Sequence, residues 1–251
     1  MIISTIDESQ RKAAKVAGFT YLVTFAMVVY ANFAIHDRLN VAGNAPETAR
    51  RILAHEQLFR VGIACDLIYC TGTLVLLTAL YVILEPISRG LALLAALWRL
   101  VYALMWVLMT LNLFDALRLL KGAKYLQVFE AERLQALAKL SLSASFDQYY
   151  VGLLFGALAS TVCGYLWFKS GYIPSALAAF GVIASAWGAA CTFVFILVPN
   201  FTNVVNLWWF DTPWGVFELA TSFWLLFKGL KPTTTRKPNH ELQPASSQEY
   251  R

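Results

Sequence analysis

Six apolar segments, most of them long enough to cross a bilayer, fill this chain, and within them the ionisable interruptions are few: Asp66, Arg99 and Glu218. About 20 consecutive apolar residues span the hydrocarbon core as a helix. Every backbone polar group there must pair internally, which leaves helices and closed barrels, and long unbroken apolar runs select helices. Composition agrees: 59% of residues are hydrophobic and 14% charged, whereas soluble domains run at roughly 25% charged. The expected fold is an all-α integral membrane bundle of six transmembrane helices with two extramembrane interfacial helices. Residues 1–230 form a single transmembrane domain, and 231–251, rich in Thr, Pro, Ser and Gln, form a disordered cytoplasmic tail.

The first span runs from about Lys15 to Ile35, behind Arg11, Lys12 and Lys15, which place the N-terminus in the cytoplasm. No small-residue cleavage pattern follows, so this helix is expected to be retained. Asn44, with Glu47 three residues on, caps a short surface helix whose Ala49, Ile52 and Phe59 share a face. The second span covers about Phe59 to Leu84 and the third about Leu91 to Leu113, joined so tightly that they are antiparallel neighbours. Leu126, Phe129, Leu137 and Leu140 predict an interfacial helix between Leu119 and Phe146. In the fourth span, about Gln148 to Phe168, the four-residue spacing of Gly152, Gly156, Ser160 and Gly164 predicts a packing face. The fifth, about Ile173 to Leu197, carries Gly181, Ser185 and Ala189 and is expected to meet it. The sixth runs from about Pro213 to Phe227, capped by Asp211 or Thr212. Trp208, Trp209 and Trp214 mark the outer interface; Trp224 and Phe227 mark the inner one. The basic cluster from Lys228 to Lys237 and an even span count put both termini inside.

The net charge of +5 is scattered over termini and loops and forms no single stripe, so nucleic acid is not an expected partner. Cys65, Cys70, Cys163 and Cys191 all lie in apolar segments, with no disulfide framework and no metal site. Histidines are absent from the span interiors, which argues against membrane haem, and no protease, phosphate-loop, nucleophile-elbow or paired-thiol motif occurs. No cofactor is expected.

Several stretches carry a family resemblance. They are Arg11-Lys12-Ala13-Ala14-Lys15-Val16-Ala17-Gly18, Glu56-Gln57-Leu58-Phe59-Arg60, Leu94-Ala95-Ala96-Leu97-Trp98-Arg99-Leu100, and Glu218 leading to Trp224-Leu225-Leu226-Phe227-Lys228-Gly229. From about Gln10 to Lys231 the chain resembles the bacterial membrane-protein family known as domain of unknown function 4386. The resemblance implies a multi-pass protein of the bacterial inner membrane and brings no activity with it.

An isolated charge at mid-membrane costs about 2.5 to 3.5 kcal/mol on insertion scales, so each of the three needs a partner, a wet cavity or a function. Asp66 falls in the outer third of the second span, Glu218 in the outer half of the sixth and Arg99 near the middle of the third. They are expected to converge on one outward-facing polar pocket or to form a structural ion pair. The planar fork of Arg99 suits a carboxylate, and Glu218 matches its depth better than Asp66. Tyr69, Tyr102 and Trp106 lie at similar depth and form one pocket wall. Asp37, Asp115, Asp147 and Asp211 sit near outer span ends and read as solvated interface residues.

No catalytic residue is identified. The first functional reading is a non-enzymatic module that binds a small amphipathic ligand or a membrane partner protein at the pocket. The alternative is a membrane-embedded acid-base enzyme, an isomerase or cyclase, acting on a lipophilic substrate with Glu218 or Asp66 as proton donor. A transporter would predict an internal repeat, and none is evident.

Overall fold

The computed structural model describes residues 2–4, 6–198, 201 and 208–235. In chain order the helices are α1 (Glu8–Val29), α2 (Asp37–Leu39), α3 (Ala45–Ala54), α4 (Glu56–Leu84), α5 (Arg89–Lys121), α6 (Ala131–Ser170), α7 (Ser175–Leu197) and α8 (Trp208–Phe227). A π-helical stretch, Tyr30–His36, joins α1 to α2, so that Glu8–Leu39 runs on as one rod. Among the described residues five helices are long and apolar enough to cross a membrane: Glu8–Leu39, α4, α5, α6 and α7. Their lipid-compatible outer faces carry Phe19, Leu97, Leu104, Leu111, Ile183 and Ile196, all exposed. A bilayer is the environment in which such surfaces are stable.

The ends of these elements define two opposite faces. Gln10 Nε2 donates to the carbonyl of Ile83 (3.2 Å) and to Tyr172 Oη (3.3 Å), and the Lys231 amide donates to the Tyr172 carbonyl (2.9 Å). The start of α1, the α4–α5 turn, the α6–α7 turn and the residues after α8 therefore meet on one face. Asp7 opens α1 with a capping box, its carboxylate accepting from the Gln10 amide while Gln10 reaches back to the Asp7 amide. Two short strands, β1 (Ile2–Ser4) and β2 (Thr233–Thr235), pair antiparallel on this face. The three β-branched threonines of β2 favour extended backbone. Residues 236–251 lie outside the described residues.

At the opposite face a second apolar cluster forms from Ile35, Leu39, Ile52, Phe59, Leu113 and Leu142. Here α3 begins as expected, with Asn44 Oδ1 accepting from the Glu47 amide at 3.0 Å. Its apolar residues Ala49 and Ile52 are buried against protein. On its exposed side Glu47 bonds both Arg50 and Arg51, which hold its carboxyl down at about 2. That small contribution is present above the ordinary glutamate range and fades as pH falls toward 2.

The second interfacial helix does not exist as a separate element. Its residues from Ala131 onward continue without a break into the span, making α6 40 residues long. No glycine or proline interrupts the chain between Ala131 and Tyr150, and Leu134, Ala138 and Leu142 are buried, so nothing ends the helix there. At 1.5 Å per residue α6 is about 60 Å long, about twice the hydrocarbon thickness, and its first half stands beyond the core. Likewise α8 starts at Trp208, upstream of the proline signal, so Asp211 lies in its first turn and not at its cap.

The small-residue row on α6 does not face α7 alone. Side chains four apart advance by about 40° around a helix, so the row winds from one neighbour to another. A methyl on Gly152 would meet Met105 and Tyr102 of α5, one on Gly156 would meet Trp214 and Tyr102, and one on Gly164 would meet Val182 of α7. Gly181 meets α6 as expected, its backbone carbonyl carbon lying 3.3 Å from where a Cβ on Gly164 would stand, and its open side also receives the ring of Phe217 from α8. Close approach at Gly18 likewise lets Ser222 Oγ donate to the Gly18 carbonyl at 2.8 Å, locking α1 to α8.

Overpacking of this kind costs about 1 to 3 kcal/mol. Gly181→Ala should lower the melting temperature of the detergent-solubilised protein, whereas Gly90→Ala, where a methyl meets no atom within 4 Å, should leave it unchanged or slightly raised. Equal melting temperatures for the two variants would show that Phe217 does not seat on Gly181.

Candidate functional site

Between α1 and its π-helical extension, α4, α5, α6 and α8 lie two adjoining, partly open cavities. The first, of about 150 Å³, is lined by His36, Asp37, Asn40, Met109, Ser145 and Phe146 among others. The second, of about 210 Å³, is lined by Phe25, Phe33, Tyr69, Tyr102, Trp214 and Glu218 among others. Asn32, Trp106, Tyr149 and Asp211 line both and mark the waist between them.

Helix geometry explains the second chamber. Tyr102 and Trp106 stand one turn apart on α5, and Tyr102 lies over the gap left by Gly152 and Gly156. Tyr69 of α4 shares a hydrogen bond of 2.8 Å with Tyr102 through their hydroxyls and packs on Trp106 with ring centroids 4.2 Å apart. Tyr102 is tilted toward Trp214 at 6.1 Å. These aromatics make a rigid wall that offers ring surface and a few polar tips.

Arg99 stands behind this wall, outside both cavities, with its side chain 3% exposed. Its Nη2 donates to Ser160 Oγ of α6 at 3.0 Å, its Nη1 lies 3.9 Å from Glu218 Oε1, and its guanidinium sits 6.0 Å from the centroid of the Tyr21 ring. The guanidinium thus has a partner on each of α1, α6 and α8. Glu218 is the more open member, 18% exposed, and faces the second cavity.

Asp66 does not join Arg99. It is buried at 2% side-chain exposure and its Oδ2 lies 3.0 Å from His36 Nε2. Gly62, one turn before it on α4, makes this possible: a Cβ there would stand 3.1 Å from His36 Cε1. Phe59, on the same face, meets the imidazole edge-on. His36 ends the π-helical stretch, whose wider turns bond residue i to i+5, as between the Asp37 amide and the Asn32 carbonyl. The stretch brings Asn32 and His36 to the cavities.

Asp211 is the second residue whose sequence reading needs correction. It is no solvated interface acid: it lines both cavities, its Oδ2 accepts a short hydrogen bond from the Tyr149 hydroxyl, and its Oδ1 is buried with no hydrogen-bond partner. The indole N–H groups of Trp106 and Trp214 also make no hydrogen bond of good geometry; each lies beside a polar neighbour, Tyr102 and Glu218 respectively. Buried polar atoms left unmatched are uncommon in folded proteins; Asp211 Oδ1 belongs to a residue that lines both cavities, while Ser185, Thr221 and Trp224 carry others and line neither. Among the described residues no group of His, Cys, Asp and Glu could hold a metal ion, and the four cysteines are free.

These features define a multi-pass helical membrane protein with a polar-edged, aromatic-walled cavity inside the bundle. The family described as Domain of unknown function (DUF4386) matches residues 16–229, and the chain belongs to that family. No curated protein and no solved structure matches it.

Removing one member of a buried ion pair typically costs about 3 to 5 kcal/mol, whereas replacing both can be nearly neutral. Glu218→Gln strands the guanidinium and should destabilise strongly, and Arg99→Met should do the same by also freeing Ser160. The double variant should recover part of the loss in thermal unfolding. Losses that simply add would show that the two side chains are not coupled.

Proposed function

We propose that this protein is a non-enzymatic membrane module whose paired cavity binds a small amphipathic molecule. The observation that carries this reading is Asp211 Oδ1, buried and, among the described residues, without a hydrogen-bond partner, at the edge of a preformed and mostly apolar space. Ligand sites have this character: apolar walls with a few placed polar groups. No catalytic constellation accompanies it. The second reading, an acid-base enzyme acting on a lipophilic substrate, draws on Asp211 and Glu218 sharing one chamber, where either carboxyl could exchange a proton with a bound molecule. A partner protein docking at the same face is the other form the binding reading could take.

In this reading α8 is a sixth crossing. Its 20 residues extend about 30 Å, which matches the hydrocarbon core, and the start of α1 and the residues after α8 both contact Tyr172. The basic residues at the α1 start and after α8 assign that face to the cytoplasm, so the cavities open toward the outer side of a bacterial inner membrane. Reporter fusions before Glu8 and after Thr235 should both report from the cytoplasm; opposite sides would overturn the count of six.

Native mass spectrometry of the purified protein tests the binding reading. The wild type should carry a bound small molecule, and Gly215→Leu should lose it, because Gly215 lines the second cavity and a Cβ there meets only Phe25, at 3.4 Å. A spectrum in which wild type and Gly215→Leu carry the same species, or neither carries any, argues against the cavity as the site. Turnover of that molecule by the purified protein would replace the module with the enzyme.

A further inference from the structure

The linings of the two cavities differ from an ordinary apolar pocket in the sign of their charge. Asp37, Asp211 and Glu218 face them, and among the described residues His36 is the sole basic side chain, with no lysine or arginine lining either. Two basic groups on the surrounding helices are engaged elsewhere: Arg99 with Glu218 and Ser160, and Lys139 with Asn40 and the Val41 carbonyl. His36 is held by Asp66. Among the described residues no ion pair reaches Asp211; Tyr149 satisfies one of its oxygens and nothing satisfies the other.

Each class of ligand can be weighed against this lining. A carboxylate or phosphate would meet acids and find no free cation. A neutral molecule brings Asp211 no opposite charge and, without an N–H or O–H group, leaves its buried Oδ1 unmatched. An organic cation would match it, because aromatic rings around a carboxylate are the setting in which ammonium groups bind. The position of Asp211 refines the choice further. It stands at the waist, with Trp106 and Tyr149, between a chamber of about 150 Å³ and one of about 210 Å³. An apolar cavity of roughly 150 Å³ is known to hold a benzene ring, so each chamber has room for a ring-sized group.

Resting on the reading of this cavity as a ligand site, we infer that its ligand is a lipophilic secondary or tertiary amine, protonated at nitrogen, with an apolar arm in each chamber. The ammonium N–H donates to Asp211 Oδ1 at the waist, beside the rings of Trp106 and Tyr149. A quaternary ammonium carries the charge but not the proton, and leaves Oδ1 without a donor.

Dibenzylamine, dibenzyl ether and N,N-dimethyldibenzylammonium form a matched probe set: two rings around a protonated amine, a neutral oxygen and a quaternary nitrogen. Isothermal titration calorimetry of the full-length protein in a neutral detergent at pH 7 measures all three. Hydrogen bonds to a charged group contribute about 1.5 to 3 kcal/mol, so dibenzylamine should bind about tenfold or more tighter than the ether, with the quaternary probe weaker than the amine. Asp211→Asn should bring the amine down to the level of the ether, while Asp115→Asn, an exposed acid paired with Arg118, should change nothing. If ether and amine bind equally, or the preference survives Asp211→Asn, the amine inference falls while the cavity still binds amphipathic molecules. Binding of no probe overturns the inference, and the mass spectrum then decides the broader reading alone. Should Asp211→Asn fail to fold, the ranking of the three probes on the wild type still decides.

Discussion

The guanidinium of Arg99 is the constraint around which the bundle is arranged. It cannot be deprotonated under any condition the membrane offers, so helices must supply partners at its depth. Ser160 answers from α6, Glu218 from α8 and Tyr21 from α1. Each contact fixes the vertical register of its helix against α5. The small residues then follow: Gly18 lets α1 and α8 approach until Ser222 bonds the Gly18 carbonyl, and Gly181 receives Phe217 so that α8 can also lie against α7. Charge sets the depth of the helices, and missing side chains set their separation.

The same arrangement produces the cavity. Because Gly152 and Gly156 give Tyr102 a seat on α6, the α5 aromatics project across the interior without filling it. Tyr102 ties to Tyr69, and Trp106 packs between Tyr69 and Tyr149. The walls are stiff and the space between them is left over. On the other side the helical rod of α1 widens into its π-helical stretch at the level of the cavities. Such stretches have weaker local hydrogen bonding than α-helix and recur at functional positions. Here the stretch carries Asn32 to the waist and His36 to the outer chamber, which a regular helix would point elsewhere, since a π turn delays each following side chain by part of a turn.

The all-helical class, the tight α4–α5 and α6–α7 turns and the cap of α3 were legible in the sequence because each rests on local chemistry: apolar run length, short polar turns, an Asn with its Glu three residues on. The continuity of α6 was not. The polar stretch before Gln148 read as a separate interfacial helix, yet its Lys139 bonds Asn40 and Gln148 bonds Asn112 of other segments, and side-chain polarity does not end a helix that tertiary contacts continue. The direction of the glycine row was lost for a related reason, since spacing gives the face but not the neighbour. Depth alone set Asp66 near Arg99, but its partner was decided by Gly62, whose absent side chain admits His36; a glycine one turn before a buried acid was the available signal. Asp211 looked solvated because the helix start was read from Pro213, and moving that start to Trp208 carries the acid inward.

Taken together, three acids are handled in three ways. Asp66 is matched by His36, which shares its burial. Glu218 stands within reach of Arg99 but keeps a face on the cavity. Asp211 has a neutral hydroxyl on one oxygen and nothing on the other. Among the described residues a cation stands beside each of the first two, whereas the third receives one neutral donor from α6, Tyr149, and no cation. A carboxylate left half-satisfied where two mostly apolar chambers adjoin is expensive in isolation. Its cost is offset when a ligand brings the missing donor, and that differential interaction separates the occupied state from the empty one.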